Sequence, residues 1–324
     1  MLKIIKIICI FLISAVLLFP IALWQINLGE IAIKIEKGKN LKEIAELLAQ
    51  NKIIEDSYGF RILCIQSGKA DKLSYGWYKL QFYQNPRKVL SILSKGERMT
   101  VCITIPPGLT VVQTLNLLAN KTDIDIKSMD SLIHTEDFIH RLGINVNSIE
   151  GFLFPDTYIL YRSEEPEKVI KKMVFTLFSI IRPDSRLTID LKEFSAYEIL
   201  TIASMIEREA MVDREKPIIA SVIYNRLKKG MRLQIDATVL YALGYHKARI
   251  FYKDLRVDSP YNTYKYRGIP PGPIANPGYQ SILAAMHPAK TDYLYYVATG
   301  KGDHIFTKTL SAHNKAKFEV KRNW

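Results

Sequence analysis

Hydrophobic and polar positions change their spacing several times along the chain, and each change predicts an element. Residues 7–24, IICIFLISAVLLFPIALW, carry no charge. At about 1.5 Å per residue such a run reaches roughly 27 Å, close to the hydrocarbon thickness of a bilayer, so it predicts a transmembrane helix behind a short tail, residues 1–6. Pro20 lies near the far end, where a lost backbone hydrogen bond is tolerated, and Trp24 suits the interfacial belt. A secretory signal would have a shorter apolar stretch and a small-x-small cleavage site, and none follows Phe19. Lys3, Lys6 and the amino terminus on the near side, set against Lys34, Lys37 and Lys39 beyond, favour the amino terminus inside. The 300 residues after Trp24 then face the other side of the membrane.

Behind that run the pattern is mixed. Residues 31–35, IAIKI, alternate like a strand, and Asn40 stands as a helix cap before Leu41, Ile44, Ala45, Leu47 and Leu48 at helical spacing. A second helix is expected after Ser57, a strand over 76–83, and a helix from Pro86 to Leu93 closed by Lys95-Gly96. Strand, helix, helix, strand makes a small α+β module, residues 31–100. Residues 101–105, VCITI, predict another strand, followed by Pro106-Pro107-Gly108 and a helix starting near Thr110. Residues 195–210, SAYEILTIASMIEREA, predict an amphipathic helix with Ile199, Ile202, Ala203 and Ile206 on one stripe, and Lys216 to Lys228 a further helix ending at Gly230. The fold class is α+β, with a second, larger domain over 101–324. IPPG occurs at 105–108 and again at 269–272, and both copies read as proline-stiffened turns rather than a repeat.

Composition narrows the function without choosing it. Lysine and arginine outnumber aspartate and glutamate 45 to 32, a net charge of +13 that suits an acidic partner: nucleic acid, a membrane surface or a carboxylate-rich polymer. No DNA-reading motif accompanies it. The three cysteines, Cys9, Cys64 and Cys102, form no CxxC and no disulfide framework. The six histidines include no HExxH, and GxSxG and phosphate-binding glycine loops are absent, so zincin, serine-nucleophile and nucleotide chemistry are disfavoured and neither metal nor cofactor is expected.

Carboxylates in apolar settings remain, because desolvation keeps a carboxyl protonated near neutrality, as an acid catalyst requires. Glu207 and Glu209 flank the apolar stripe of the 195–210 helix on opposite sides, about 90° and about 70° from Ile206 on a helical wheel. Glu207 stacks over the small Ala203 and Ser204, which leave room for a ligand; Glu209 stacks over Met205 and Ile206, which do not. That hint favours Glu207, against a helix-end carboxylate paired with Arg208 or Arg214.

The motifs EGFLFPDTY, ASMIEREA, SVIYNRL, MRLQIDAT, YNTY, GIPPGPIANPG, HPAKTDYLYYV and the late HIF and His313-Asn314, in that order, resemble the YceG-like family of endolytic murein transglycosylases from the anchor to about residue 318. The resemblance implies an inner-membrane protein whose catalytic domain is extracytoplasmic. It implies cleavage of the β-1,4 bond between N-acetylmuramic acid and N-acetylglucosamine in peptidoglycan, a 1,6-anhydro-muramic product end, and termination of growing glycan strands. By position in SMIERE it implies Glu207 as the catalytic glutamate. It makes the 31–100 module LysM-like, a unit associated with glycan contact, and leaves cell-wall synthases as candidate partners. Where the family has Gln-Thr-Asp-Pro-Thr, this chain has Gln234-Ile235-Asp236-Ala237-Thr238, which keeps Asp236 and Thr238 and loses a proline.

On this reading Glu207 protonates the glycosidic oxygen and then takes the proton of the muramic C6 hydroxyl, which attacks C1 of its own ring. Gln234, Asp236, Asn262, Tyr264 and Asn276 are candidates for binding N-acetyl and hydroxyl groups, and Tyr261 for stacking. Glu150 and Asp156 shape the groove or serve structure. The alternative from another class is a membrane-tethered, non-catalytic peptidoglycan-binding scaffold.

Overall fold

The computed structural model describes residues 29–181, 194–245, 247 and 250–322. The predicted transmembrane run, residues 7–24, lies outside them, and among the described residues no helix is long and apolar enough to cross a membrane. The architecture is mixed α+β, with small two-stranded sheets and many helices. It falls into two units, one formed by the chain up to Thr100 with residues 161–163, the other by 101–160 with the chain from Glu164 onward.

In the first unit β1 (Glu30–Ile35) is followed by α1 (Leu41–Gln50), α2 (Ser57–Gln66), β2 (Gly76–Gln81) and α3 (Pro86–Lys95). The strands pair antiparallel, Glu30 opposite Gln81 and Ile35 opposite Gly76. Each helix begins where the sequence supplies an acceptor for its orphan N–H groups. Asn40 and Glu43 form a reciprocal capping box at α1, Asp56 caps α2, and Asn85 precedes Pro86 at α3, which stops at Gly96 in the left-handed conformation, φ 68°. Ile33, Ile35, Ala45, Leu48, Phe60, Tyr78, Leu80 and Leu93 close a core of their own. Cys64 belongs to it as a free thiol, pushed up to about 11 by burial.

The second unit runs β3 (Thr100–Thr104), α4 (Val111–Lys121), α5 (Ile126–Ile133), α6 (Glu136–Arg141), β4 (Thr157–Tyr161), α7 (Pro166–Ile181), α8 (Ala196–Glu209), α9 (Lys216–Lys228), α10 (Asp236–Leu243), α11 (Tyr279–Met286), β5 (Tyr295–Ala298), β6 (His304–Thr307) and α12 (Leu310–Arg322). β3 pairs with β4, and β5 with β6 in antiparallel register, Tyr295 opposite Thr307 and Ala298 opposite His304. Thr110 with Gln113 and Ser195 with Glu198 make capping boxes for α4 and α8.

The amphipathic reading of α8 needs correction. Every residue from Ile199 to Ile206 is buried, including Leu200, Thr201, Ser204 and Met205. The helix is central, packed by α9, α10 and α11, and its polar side chains bond to backbone. Thr201 Oγ1 donates to Tyr197 O at 2.8 Å, and Ser204 Oγ donates to Thr201 O at 2.7 Å while accepting from Ile274 N at 3.0 Å. Its two ends lie outside this buried stretch, and the carboxyl end, Glu207-Arg208-Glu209, carries two carboxylates and a guanidinium.

Candidate active site

Successive side chains on a helix turn by about 100°, so the last residues of α8 point into different surroundings. Glu207 meets the amino terminus of α11. Its Oε2 accepts from Gly278 N at 3.0 Å and from Ser281 Oγ at 2.6 Å, and its Oε1 lies 3.5 Å from Lys216 Nζ. Both side chains are 8% exposed, and Lys216 also pairs with Asp213 at 2.8 Å. Glu207 therefore supplies the side-chain cap that Gly278 cannot, at a helix end whose dipole favours a negative charge. Gly278 packs closely on the carboxylate: a Cβ there would stand 3.4 Å from Glu207 Oε2 and 3.2 Å from Pro107. The carboxylate still borders a cavity of about 440 Å³, together with Pro107, Phe154, Asp156, Asp213 and Tyr279.

Glu209 is placed differently. Its Oε2 accepts from Tyr296 Oη at 3.0 Å, on β5, and the backbone N–H of Ala237 in the first turn of α10 bonds to the same carboxyl. Desolvation is the largest influence on it and raises its pKa; the Tyr296 bond opposes this, and the negative charge of Asp236 adds to the rise. Asp236 in turn accepts from Tyr264 Oη at 2.5 Å and is exposed to solvent. Tyr264 and Tyr296, both partly buried, are held as neutral phenols by desolvation and by the carboxylates they donate to. Behind them Arg226 is spent on backbone, donating to Leu294 O at 2.6 Å and Leu233 O at 2.5 Å. His304 packs edge-on against Tyr296 and is fixed by Glu215, Nδ1 to Oε2 2.7 Å.

The candidates predicted from sequence are thus dispersed. Asp236 and Tyr264 meet each other beside Glu209. Gln234 is exposed next to them, in a left-handed backbone conformation, φ 53°, with its N–H on Thr263 O. Asn262 and Asn276, also expected as sugar ligands, are both 0% exposed. Asn262 Nδ2 donates to Leu255 O and Val257 O while Oδ1 accepts from Tyr264 N, and Asn276 ties Leu109, Thr114 and Leu153 together. Tyr261 packs on Tyr241, ring centres 4.8 Å apart. Glu150 is 8% exposed and pushed up to about 7 by burial, its Oε1 accepting from Val111 N at 3.0 Å; it borders a separate cavity of about 450 Å³. Asp156 borders the Glu207 cavity and caps its neighbour Thr157 N at 2.7 Å. Sequence reasoning missed Tyr296, Lys216 and Ser281, which lie 87, 9 and 74 residues from the glutamates they touch. No local spacing signals such partners.

The family model of the YceG-like family matches residues 33–319. The chain belongs to the YceG-like family. An endolytic murein transglycosylase of Bacillus subtilis is 38% identical to this YceG-like chain over 301 residues, 88% of the chain and 83% of that protein. An endolytic murein transglycosylase of Streptococcus pneumoniae is 29% identical over 299 residues, 83% of the chain and 54% of its own length. The crystal structure of a YceG-like protein from Listeria monocytogenes superposes with a TM-score of 0.62 at 34% identity, covering 88% of this chain and 98% of that one.

Proposed function

We propose that this YceG-like chain is an endolytic lytic transglycosylase. It cuts the β-1,4 bond between N-acetylmuramic acid and N-acetylglucosamine within peptidoglycan strands, leaves a 1,6-anhydro-muramic end, and so terminates nascent strands. The names of the Bacillus and Streptococcus relatives support the reaction class, and one observation carries its chemistry: Glu209, a carboxyl made more basic by desolvation, hydrogen-bonded by Tyr296, beside Asp236. A protonated carboxyl of this kind donates to the glycosidic oxygen as the bond breaks. The resulting carboxylate takes the C6 hydroxyl proton as that oxygen attacks C1, closing the anhydro ring. The nucleophile belongs to the sugar, so its effective concentration is high and no second carboxylate need hold a water. Asp236, anchored by the Tyr264 hydroxyl, favours positive charge building at C1.

Glu209 takes the acid/base role here in preference to Glu207, whose oxygens are engaged by Gly278, Ser281 and Lys216. Residues 7–24 anchor the chain, amino terminus inside, with the body extracytoplasmic, and residues 31–100 act as a LysM-like module that contacts glycan. Wild type, Glu209→Gln and Glu207→Gln, each as the full chain in lipid nanodiscs, are incubated with polymeric peptidoglycan and the released muropeptides read by mass spectrometry. Internal anhydro ends from wild type and Glu207→Gln, and none from Glu209→Gln, are expected. Loss only in Glu207→Gln would return the role to that residue; reducing ends would mean hydrolysis; binding without any product would leave a scaffold.

A further inference from the structure

The Glu150 cavity is a built site that the reaction above does not use. It is lined by Tyr241 of α10 and Tyr245 just past that helix, by Val112 and Gln113 at the start of α4, by Glu150, and by Arg208 from the end of α8. Its volume of about 450 Å³ lies within the range of ligand sites. Val112 and Tyr245 are 58% and 55% exposed, so apolar and aromatic surface faces the opening. Arg208 is exposed, and its Nη1 donates to Gly108 O at 3.0 Å, which orients the guanidinium. No carboxylate among the described residues pairs with it, so the rest of its fork remains for an anion.

The position of the cavity matters as much as its contents. Ala237, whose N–H bonds Glu209, also lines it, so the cavity begins one residue from the acid/base cluster. On its other side Gly108 stands in a left-handed turn, φ +83°, that a larger residue would strain, and a Cβ built there would lie 3.7 Å from Glu207 Cγ and from the Arg208 side chain. A saccharide chain crossing the end of α8 would therefore pass from Glu209 directly into this cavity.

We propose that the Glu150–Arg208 cavity is a subsite for a muramyl unit that still carries its peptide stem. Arg208 takes a stem carboxylate through its planar fork, Glu150 hydrogen-bonds an amide or hydroxyl of the sugar, and Tyr241 and Tyr245 carry the apolar ring face. The occupant follows from the donor set. A guanidinium without an acidic partner selects a carboxylate. A buried carboxyl held at about 7 is an O–H donor at neutral pH and below, which suits a neutral polar group. Tyrosines at a mouth favour a sugar face over a purely acidic peptide. The consequence is selectivity: the enzyme would cut stem-bearing strands in preference to strands stripped of peptide. The inference rests on the transglycosylase reading for its substrate.

The test compares peptidoglycan chains bearing stems with the same chains stripped by an amidase, using the full chain in nanodiscs. Wild type should show the lower KM on stem-bearing chains. Arg208→Gln should raise that KM about tenfold with kcat nearly kept, the loss of a charge-assisted bidentate pair, and should remove the preference; Arg208→Lys should recover part of it. An equal rise in KM on both substrates would show that Arg208 only supports the Gly108 turn and would overturn the proposal, as would an unchanged preference in Arg208→Gln. If wild type cuts neither substrate, the transglycosylase reading fails, and calorimetric binding of the two chains decides the subsite: tighter binding of stem-bearing chains, lost in Arg208→Gln, upholds it, and equal binding sinks it.

Discussion

Asn276 was expected from sequence to bind sugar, and the structure makes it a tie between three segments, so its removal separates the two roles. Its Oδ1 accepts from Leu153 N at 3.0 Å, its Nδ2 donates to Leu109 O at 2.9 Å, and a longer contact of 3.4 Å reaches Thr114 Oγ1. Its backbone pairing with Gly108 N and Leu109 O, at 2.9 and 2.8 Å, survives in any variant. Asn276→Ala leaves the N–H of fully buried Leu153 without its acceptor, a desolvation loss of about 2 kcal/mol, and removes one well-formed neutral bond worth about 1 kcal/mol. The Thr114 contact is too long to add much. A loss of about 3 kcal/mol lowers the melting temperature of a domain this size by about 6–12 °C. Differential scanning calorimetry of the full chain measures it, with KM on peptidoglycan determined well below the transition. A melting temperature within about 2 °C of wild type together with a raised KM would refute the structural role and restore Asn276 to the substrate.

Other outcomes follow from the same geometry. The folded pKa of Glu150, about 7 against an ordinary 4.5, means the folded state binds the extra proton. The stability tied to it is present below about pH 4.5 and lost as pH rises through 7, so Glu150→Gln, which keeps the acceptor for Val111 N, should stabilise the protein at pH 8 by up to about 3 kcal/mol and change little at pH 4.5, read by chemical denaturation at the two pH values. At Gly151, φ +88°, a Cβ would fall 2.6 Å from Pro273 Cβ and Cγ; Gly151→Ala should cost about 3 kcal/mol or more, visible as loss of soluble expression or a sharply lowered melting temperature, and near-wild-type stability would show that the Pro273 loop yields. The Tyr296 hydroxyl favours the ionised form of Glu209; in Tyr296→Phe the proton is held more tightly and the alkaline limb of the kcat/KM profile should move to higher pH, whereas an unmoved limb would detach Glu209 from the titration.

Helix starts were legible because their signals are local. Asn40 with Glu43, Thr110 with Gln113, Ser195 with Glu198 and the Pro86 and Gly96 pair sit within a few residues of what they cap, and the observed ends agree with the predicted ones to within a residue or two. The burial of α8 was not legible in the same way. Its alternating small and polar residues look solvent-facing by spacing, yet Thr201 and Ser204 satisfy themselves on backbone and admit neighbouring segments on every side. YNTY and IANPG set asparagines among turn residues, and in the structure Asn262 and Asn276 bond the backbone of neighbouring segments. Spacing alone cannot distinguish an asparagine that binds sugar from one that replaces a missing backbone partner.

The two glutamates of α8 show the same limit at the level of chemistry. They are two residues apart on one helix end, and a wheel places them symmetrically about the apolar stripe. What separates them is the sequence-distant element each meets. Glu207 meets a helix amino terminus and an ammonium, which reward a fixed negative charge and hold the last turn of α8 to α11. Glu209 meets a second carboxylate and little water, which reward a proton and outweigh the opposing hydroxyl of Tyr296. An acid catalyst needs the second environment, and an anchored helix end needs the first. Removing the second carboxylate, through Asp236→Asn, should lower the proton affinity of Glu209. Carbon-13 NMR of labelled glutamates in the full chain reads this directly: the Glu209 carboxyl should titrate at lower pH in Asp236→Asn than in wild type. No change there would mean that burial alone sets its proton affinity and that Asp236 acts on the substrate only.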